Sequence, residues 1–103
     1  MKIRAIHYSK EFEKQFQRLP KVIQRKACIK EQIFRVNPFH PSLRLHKLTG
    51  KLKELWSISI DMKYRIIFEP LKDGVMLFIS IGLHSPEFAQ HKISKKRMAD
   101  VSH

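Results

Sequence analysis

The stretch His46–Glu69, HKLTGKLKELWSISIDMKYRIIFE, decides the fold. Trp56, Ile58 and Ile60 alternate with Ser57 and Ser59, and this period of two belongs to a strand with one buried face. Tyr64, Ile66 and Phe68 repeat the pattern, with Arg65 and Ile67 between them. His46 leads into the first of these strands. If Ile60 lies opposite Tyr64, then Ile58 faces Ile66 and Trp56 faces Phe68, and every large apolar group falls on one side. Ser59 then sits opposite Arg65. That register needs an odd-numbered connection, Asp61-Met62-Lys63, because a two-residue turn would set Ile58 against Arg65. Asp-Met also lacks the Gly or Asn of tight hairpin turns. The consequence is that Arg65 stands on the sheet face that helices leave uncovered.

Upstream, Lys2–Tyr8 reads as a short strand, with Ile3 and Ala5 on one side and Ile6 and Tyr8 on the other. Ser9 is placed to cap a helix whose first turn carries Glu11 and Glu13, where the helix dipole favours negative charge. Phe12, Phe16 and Leu19 give that helix its apolar stripe, and Pro20 ends it or opens the next. The second helix, Lys21 to about Val36, has two stripes: Val22, Ile29, Ile33 and Val36 in one, and Ile23, Ala27 and Phe34 in the other. Either both are ordinary contacts, or one meets the sheet and the other a partner chain. The helices form an antiparallel hairpin. Asn37-Pro38-Phe39-His40-Pro41 then breaks the helix, leaving residues 37–45 as loop.

Downstream, Pro70–Gly74 is a turn signalled by Asp73-Gly74. Val75–Leu83 is almost wholly apolar and suits a strand covered on both faces. Strict alternation along it puts Met76, Phe78 and Ser80 on one face, and His84 with them. Gly82 marks a place where backbone or ligand approaches closely. Pro86–Gln90 suggests one helical turn. The order strand, two helices, three strands gives an α+β fold, with the helices on one face of an antiparallel sheet. Residues 1–91 form one domain, and the basic segment 92–103 reads as a mobile tail.

The chain has 103 residues, of which 21 are basic and 9 acidic, for a net charge of +12. A charge that large on one small domain points to a polyanionic partner, nucleic acid or an acidic protein. There is no apolar run of about 18 residues, so no membrane span is expected. The N-terminus alternates charged and apolar residues, unlike a secretory leader. The single cysteine, Cys28, allows no internal disulfide and fits a cytoplasmic protein.

Phosphate-loop, hydrolase-elbow and zinc-finger patterns are absent. His40 and His46 have no carboxylate cluster beside them, so no metal or other cofactor is expected. What remains is Arg65, His46, His84, Lys51, Lys53 and Phe88. Such a set suits RNA cleavage without a metal: a base takes the ribose 2′-hydroxyl proton, an acid protonates the leaving 5′-oxygen, and a cation stabilises the phosphorane. An aromatic face holds an unstacked base. Each residue also has an ordinary explanation. Arg65 can be solvated or paired with Glu69 or Asp61, His84 can bond a loop carbonyl, and Phe88 can cap the core.

The motifs His46-x-Leu48-x-Gly50-x-Leu52, Trp56-Ser57, Tyr64-Arg65-Ile66-Ile67-Phe68 and Ile81-Gly82-x-His84, followed by Phe88, resemble the RelE/ParE superfamily of bacterial toxins, nearest to its RelE and YafQ-like branch. The resemblance implies two helices against a curved antiparallel sheet. It also implies a type II toxin that cuts mRNA on the 70S ribosome, stops translation and is held inactive by a cognate antitoxin, touching DNA only through the antitoxin complex. On that basis His84, Arg65 and His46 are the catalytic candidates. His84 serves as acid or base, Arg65 as phosphate stabiliser, and His46 as second proton carrier or phosphate ligand. Lys51, Lys53 and Phe88 bind RNA, and Asp61 is a candidate for orienting a histidine. Ser59 and Lys63 stand near the places where the YafQ-like branch has a further histidine and an aspartate. The alternatives are a ParE-like gyrase inhibitor acting by binding alone, and a passive binding module.

Overall fold

A computed structural model describes residues 2–50 and 54–83. Strands Trp56–Ser59 (β3) and Tyr64–Pro70 (β4) pair in the register that the alternation requires: Trp56 opposite Phe68, Ile58 opposite Ile66, Ser59 opposite Arg65. The Ile60 N–H donates to the Tyr64 carbonyl at 2.9 Å, which closes the loop over Asp61-Met62-Lys63. Asp61 does what glycine does in a tighter turn. Its Oδ1 accepts from the Lys63 and Tyr64 N–H groups at 2.8 and 2.9 Å.

The architecture is α+β, with two helices on one face of a five-stranded mixed sheet. Its order is β1-β5-β4-β3-β2, where β1 is Ala5–Tyr8, β2 is His46–Lys47 and β5 is Val75–Leu83. The sheet goes beyond the antiparallel reading in two ways. β1 runs parallel to β5, with Ala5 opposite Val75 and Tyr8 opposite Phe78. And His46 does not enter the first strand of the hairpin: it lies on the separate edge strand β2, paired antiparallel with Ser57. The hydrophobic period reports which face a strand buries, but not which neighbour its backbone bonds, so neither pairing shows in the local pattern.

Helix Lys10–Arg18 (α1) is capped by Ser9, whose Oγ accepts from the Phe12 N–H at 2.9 Å and donates to the Ile79 carbonyl at 2.8 Å. Farther along, Gln15 Oε1 accepts from the Ile81 N–H at 2.9 Å. The helix thereby satisfies β5 where β1 has ended. Pro20 starts helix Lys21–Val36 (α2). Gln24 Nε2 donates to the Phe16 carbonyl and ties α2 to α1, and the Tyr8 hydroxyl donates to Glu31 and ties β1 to α2.

The main core lies between helices and sheet. Phe34, Phe68 and Phe78 are fully buried, and Phe34 sits 4.9 and 5.6 Å from the other two ring centroids, spacings at which aromatic pairs contribute about 0.5–1.5 kcal/mol each beyond burial. Of the α2 stripes, Ile23, Ala27 and Phe34 are buried. In the other, Ile33 packs against the core while Val22, Ile29 and Val36 are exposed.

One irregularity corrects the reading of β5. Ile67 pairs with Ser80 but Phe68 pairs with Phe78, so Ile79 is an extra residue in the ladder. Such a bulge reverses the alternation beyond it. Met76 and Phe78 belong to the helix-side core, as does Ile81, while Ser80 and Gly82 pair with Ile67 and Arg65 on the open side. Met76, Phe78 and Ser80 therefore do not share a face. His84, the turn expected at Pro86–Gln90 and the tail 92–103 lie outside the described residues, as do Lys51, Lys53 and Phe88.

At the β4–β5 turn, Asp73 and Gly74 take φ of 60° and 76°. A Cβ at Gly74 would fall 2.6 Å from the Lys2 carbonyl oxygen, so only glycine lets the N-terminal segment pass. Among the described residues, no helix is long and apolar enough to cross a membrane.

Candidate functional site

On the open face Arg65 is surrounded by small residues. Its cross-strand partner on β3 is Ser59, its partner on β5 is Gly82, and Ser57 lies diagonally across β3. A Cβ at Gly82 would meet no described residue within 4 Å, so that glycine opens space beside the arginine. With no bulky neighbour in the way, the Arg65 side chain lies across β3. Nη1 donates to Ser57 Oγ at 2.9 Å and stands 3.2 and 3.4 Å from the two ring nitrogens of His46. Two strands of backbone thus bring together residues 19 apart in sequence.

The histidine contact has a definite chemical form. A guanidinium only donates, so the imidazole nitrogen serving it must accept. His46 Nδ1 also stands 3.2 Å from the Arg44 carbonyl, which accepts only from an N–H. One proton arrangement suits both: Nδ1–H toward Arg44 and a bare Nε2 toward Arg65. In that arrangement the Nε2 lone pair faces Arg65 and is the one basic site on the ring.

Ser57 is fully buried and Ser59 nearly so. Ser59 is occupied, its Oγ donating to the Asp61 carbonyl at 3.3 Å. Partial burial and the nearby charge of Arg44 both lower the Arg65 pKa from its ordinary value, in that order. The Arg44 guanidinium has no hydrogen-bond or ion-pair partner among the described residues, so two cations face one region without a counter-charge.

Asp61 is committed elsewhere. Its Oδ1 closes the hairpin loop, and its Oδ2 lies 3.6 Å from Lys26 Nζ. Burial pushes its carboxyl up, but the two N–H donors and the lysine outweigh that, and its pKa lies below the ordinary value. Among the described residues it neither contacts a histidine nor pairs with Arg65. His40 is likewise structural, since its Nδ1 accepts from the Ser42 N–H at 3.1 Å and caps the turn Pro41–Leu43.

Of the catalytic candidates, then, Arg65 and His46 are in contact. Ser57 enters the sequence reading as a polar step in the alternation and as part of the Trp56-Ser57 motif, with no role in the site; the available signal is a pair of serines across from an arginine where β-branched residues are the rule. Arg44, in a loop of breakers, gave no signal at all.

No family model matches the chain, and no curated protein matches it in sequence. Solved structures do match its fold. The YoeB/ParE toxin from Agrobacterium tumefaciens aligns over 80% of this chain and 100% of its own, with TM-score 0.68 and 16% identity. The archaeal RelE–RelB complex from Pyrococcus horikoshii aligns over 81% and 96%, with TM-score 0.63 and 24% identity. The E. coli DinJ–YafQ toxin–antitoxin complex aligns over 82% and 94%, with TM-score 0.64 and 19% identity. The fold is that of the RelE/ParE-type toxins, as the motifs implied.

Proposed function

We propose that this chain is the toxin of a type II toxin–antitoxin pair, a metal-independent endoribonuclease that cuts mRNA on the ribosome. The observation that supports it is the contact of Arg65 with His46 and Ser57 on the uncovered face of a RelE-type fold. In this reading His46 Nε2 takes the proton from the ribose 2′-hydroxyl. The resulting oxygen attacks the adjacent phosphorus, and Arg65 stabilises the charge on the phosphorane. His84 gives a proton to the departing 5′-oxygen, leaving a 2′,3′-cyclic phosphate and a 5′-hydroxyl. General acid–base transfer contributes about 10²–10⁴-fold, and positioned electrostatic stabilisation about 10²–10³-fold. Lys51 and Lys53 hold RNA backbone, and Phe88 stacks on a base. An antitoxin is the proposed protein partner, its apolar side chains meeting the exposed Val22, Ile29 and Val36 of α2.

The test is to induce the chain in bacteria and map RNA 5′-ends, with purified 70S ribosomes as the companion assay in vitro. Wild type is expected to arrest translation and cut ribosome-bound message, and His46→Ala, Arg65→Gln and His84→Ala are expected to lose both. Gyrase-dependent DNA breaks with intact message would replace this reading with the ParE-like one. Equal cleavage by all three variants would remove the assigned site.

A further inference from the structure

Arg44 combines a backbone cost with a charge that has no partner among the described residues. It takes φ 47° and ψ 47°, the left-handed region that a side chain with a Cβ seldom enters. The turn Pro41–Leu43 ends on it, its N–H donating to the Pro41 carbonyl at 3.2 Å. Glycine would fill this position without strain. Residues held in such conformations cluster at binding and catalytic sites. Here the conformation has two effects. It directs the Arg44 carbonyl to His46 Nδ1, and it sets Arg44 in the lining of a concavity of about 620 Å³. Lys26 and Lys30 also line that hollow, Lys26 paired there with Asp61, beside Ile60 and the exposed Met62. The buried Oγ of Ser42, also in its lining, has no hydrogen-bond partner among the described residues. The hollow reaches Ser59, the cross-strand neighbour of Arg65. A basic path therefore runs from Arg65 past Arg44 to Lys30.

We infer that Arg44 is a further substrate-binding residue: it holds the RNA phosphate next to the one at Arg65 and leads the strand into the basic hollow beside α2. This rests on the proposed reading of the chain as an RNA-cutting toxin. Two successive phosphates of the strand, one at each guanidinium, would supply the counter-charge, and Arg suits them because its fork binds two phosphate oxygens at once.

Backbone strain and substrate binding predict opposite outcomes for one substitution. In the full chain, Arg44→Gly relieves the left-handed strain and removes the charge. It is expected to melt no lower than wild type. Its binding to a single-stranded RNA oligonucleotide, 2′-O-methylated throughout so that it cannot be cut, is expected to weaken roughly fivefold at low salt. The slope of log K against log salt is expected to fall by about 0.7, the loss of one phosphate contact. Arg44→Lys keeps the slope, and Arg18→Gln, in the last turn of α1, changes neither quantity. An Arg44→Gly slope equal to wild type overturns the inference, as does a wild type that binds no RNA. So does an Arg44→Gly variant that weakens an acidic protein partner alone. Binding is measured without cleavage, so a wild type that binds RNA with an Arg44-dependent slope but never cuts it leaves Arg44 in place and removes the catalytic reading.

Discussion

Ile66 and Ile67 are neighbours on β4 yet look into different surroundings. Ile66 is buried against the helices, in a cluster with Phe34, Phe68 and Phe78. Ile67 faces the other way, into a small cluster with Leu48, Leu55 and the partly buried Ile79. Next to that small cluster the same face carries Arg65, Ser57 and His46. The helix side is a continuous packed core whose value is stability. The open side is divided, half small core and half polar trough, and the trough adds little to folding. The comparison teaches that residues one step apart on a strand can serve different ends. Substitutions on the two sides should therefore separate stability from activity.

The largest effect belongs to the helix side. Phe68→Ala removes a fully buried ring from the middle of the aromatic cluster. The expected cost is about 3–5 kcal/mol, a large share of the roughly 5–15 kcal/mol that holds such a domain together. Urea denaturation would read it as a collapse of the midpoint. A loss under about 1 kcal/mol would mean that the core is not where the fold's stability lies.

Arg65→Gln is the counterpart on the open side. It removes a partly buried cation that lies near Arg44, so folding stability is expected to stay within about 1 kcal/mol of wild type. Cleavage of ribosome-bound message is expected to fall about 10²–10³-fold, as when a positioned charge stabiliser is lost. Should the variant unfold as Phe68→Ala does, the arginine is a structural strut and the contrast between the faces disappears.

The two sides also differed in how far they could be read from sequence. The β3–β4 register followed from one period of two, because a slip by one residue would have buried Arg65 and exposed Ile66. Ser9 as cap and the Phe12–Phe16 stripe followed from helical spacing in the same way. The trough did not, because it depends on strand order. His46 meets Arg65 only because an edge strand of two residues pairs with Ser57, and two residues carry no periodicity. The bulge at Ile79 was equally hidden, since an all-apolar run reads the same with or without an extra residue. The left-handed turn at Arg44 has neither the Gly nor the Asn that would have announced it.

A smaller effect sharpens the comparison within one strand. Ile66→Ala and Ile67→Ala delete the same atoms, yet the first opens a cavity in the large core and the second in the small one. Losses for such truncations span about 2–5 kcal/mol, and Ile66→Ala is expected near the upper end with Ile67→Ala near the lower. Parallel urea titrations decide it. Equal losses would show that the open-face cluster is as well packed as the main core, and that the trough is bordered by rigid walls on every side.

The smallest expected effect is a pH dependence at the hairpin loop, which holds Arg65 and Ser59 opposite each other. The Asp61 pKa lies below its ordinary 3.8: burial opposes the charge, but the Lys63 and Tyr64 N–H groups and Lys26 favour it more. A carboxylate with a depressed folded-state pKa contributes stability that is fully present above the ordinary value and is lost as pH falls through the folded one. Asp61→Asn keeps an oxygen for both N–H donors but has no charge to titrate. Above about pH 5 wild type should therefore be the more stable by a few tenths of a kcal/mol, a figure kept small because the group is largely solvated. The gap should close as the pH drops below 3.8. If it persists unchanged in acid, the loop depends on the shape of the side chain alone, and the charge that Lys26 faces is incidental to holding the open face together.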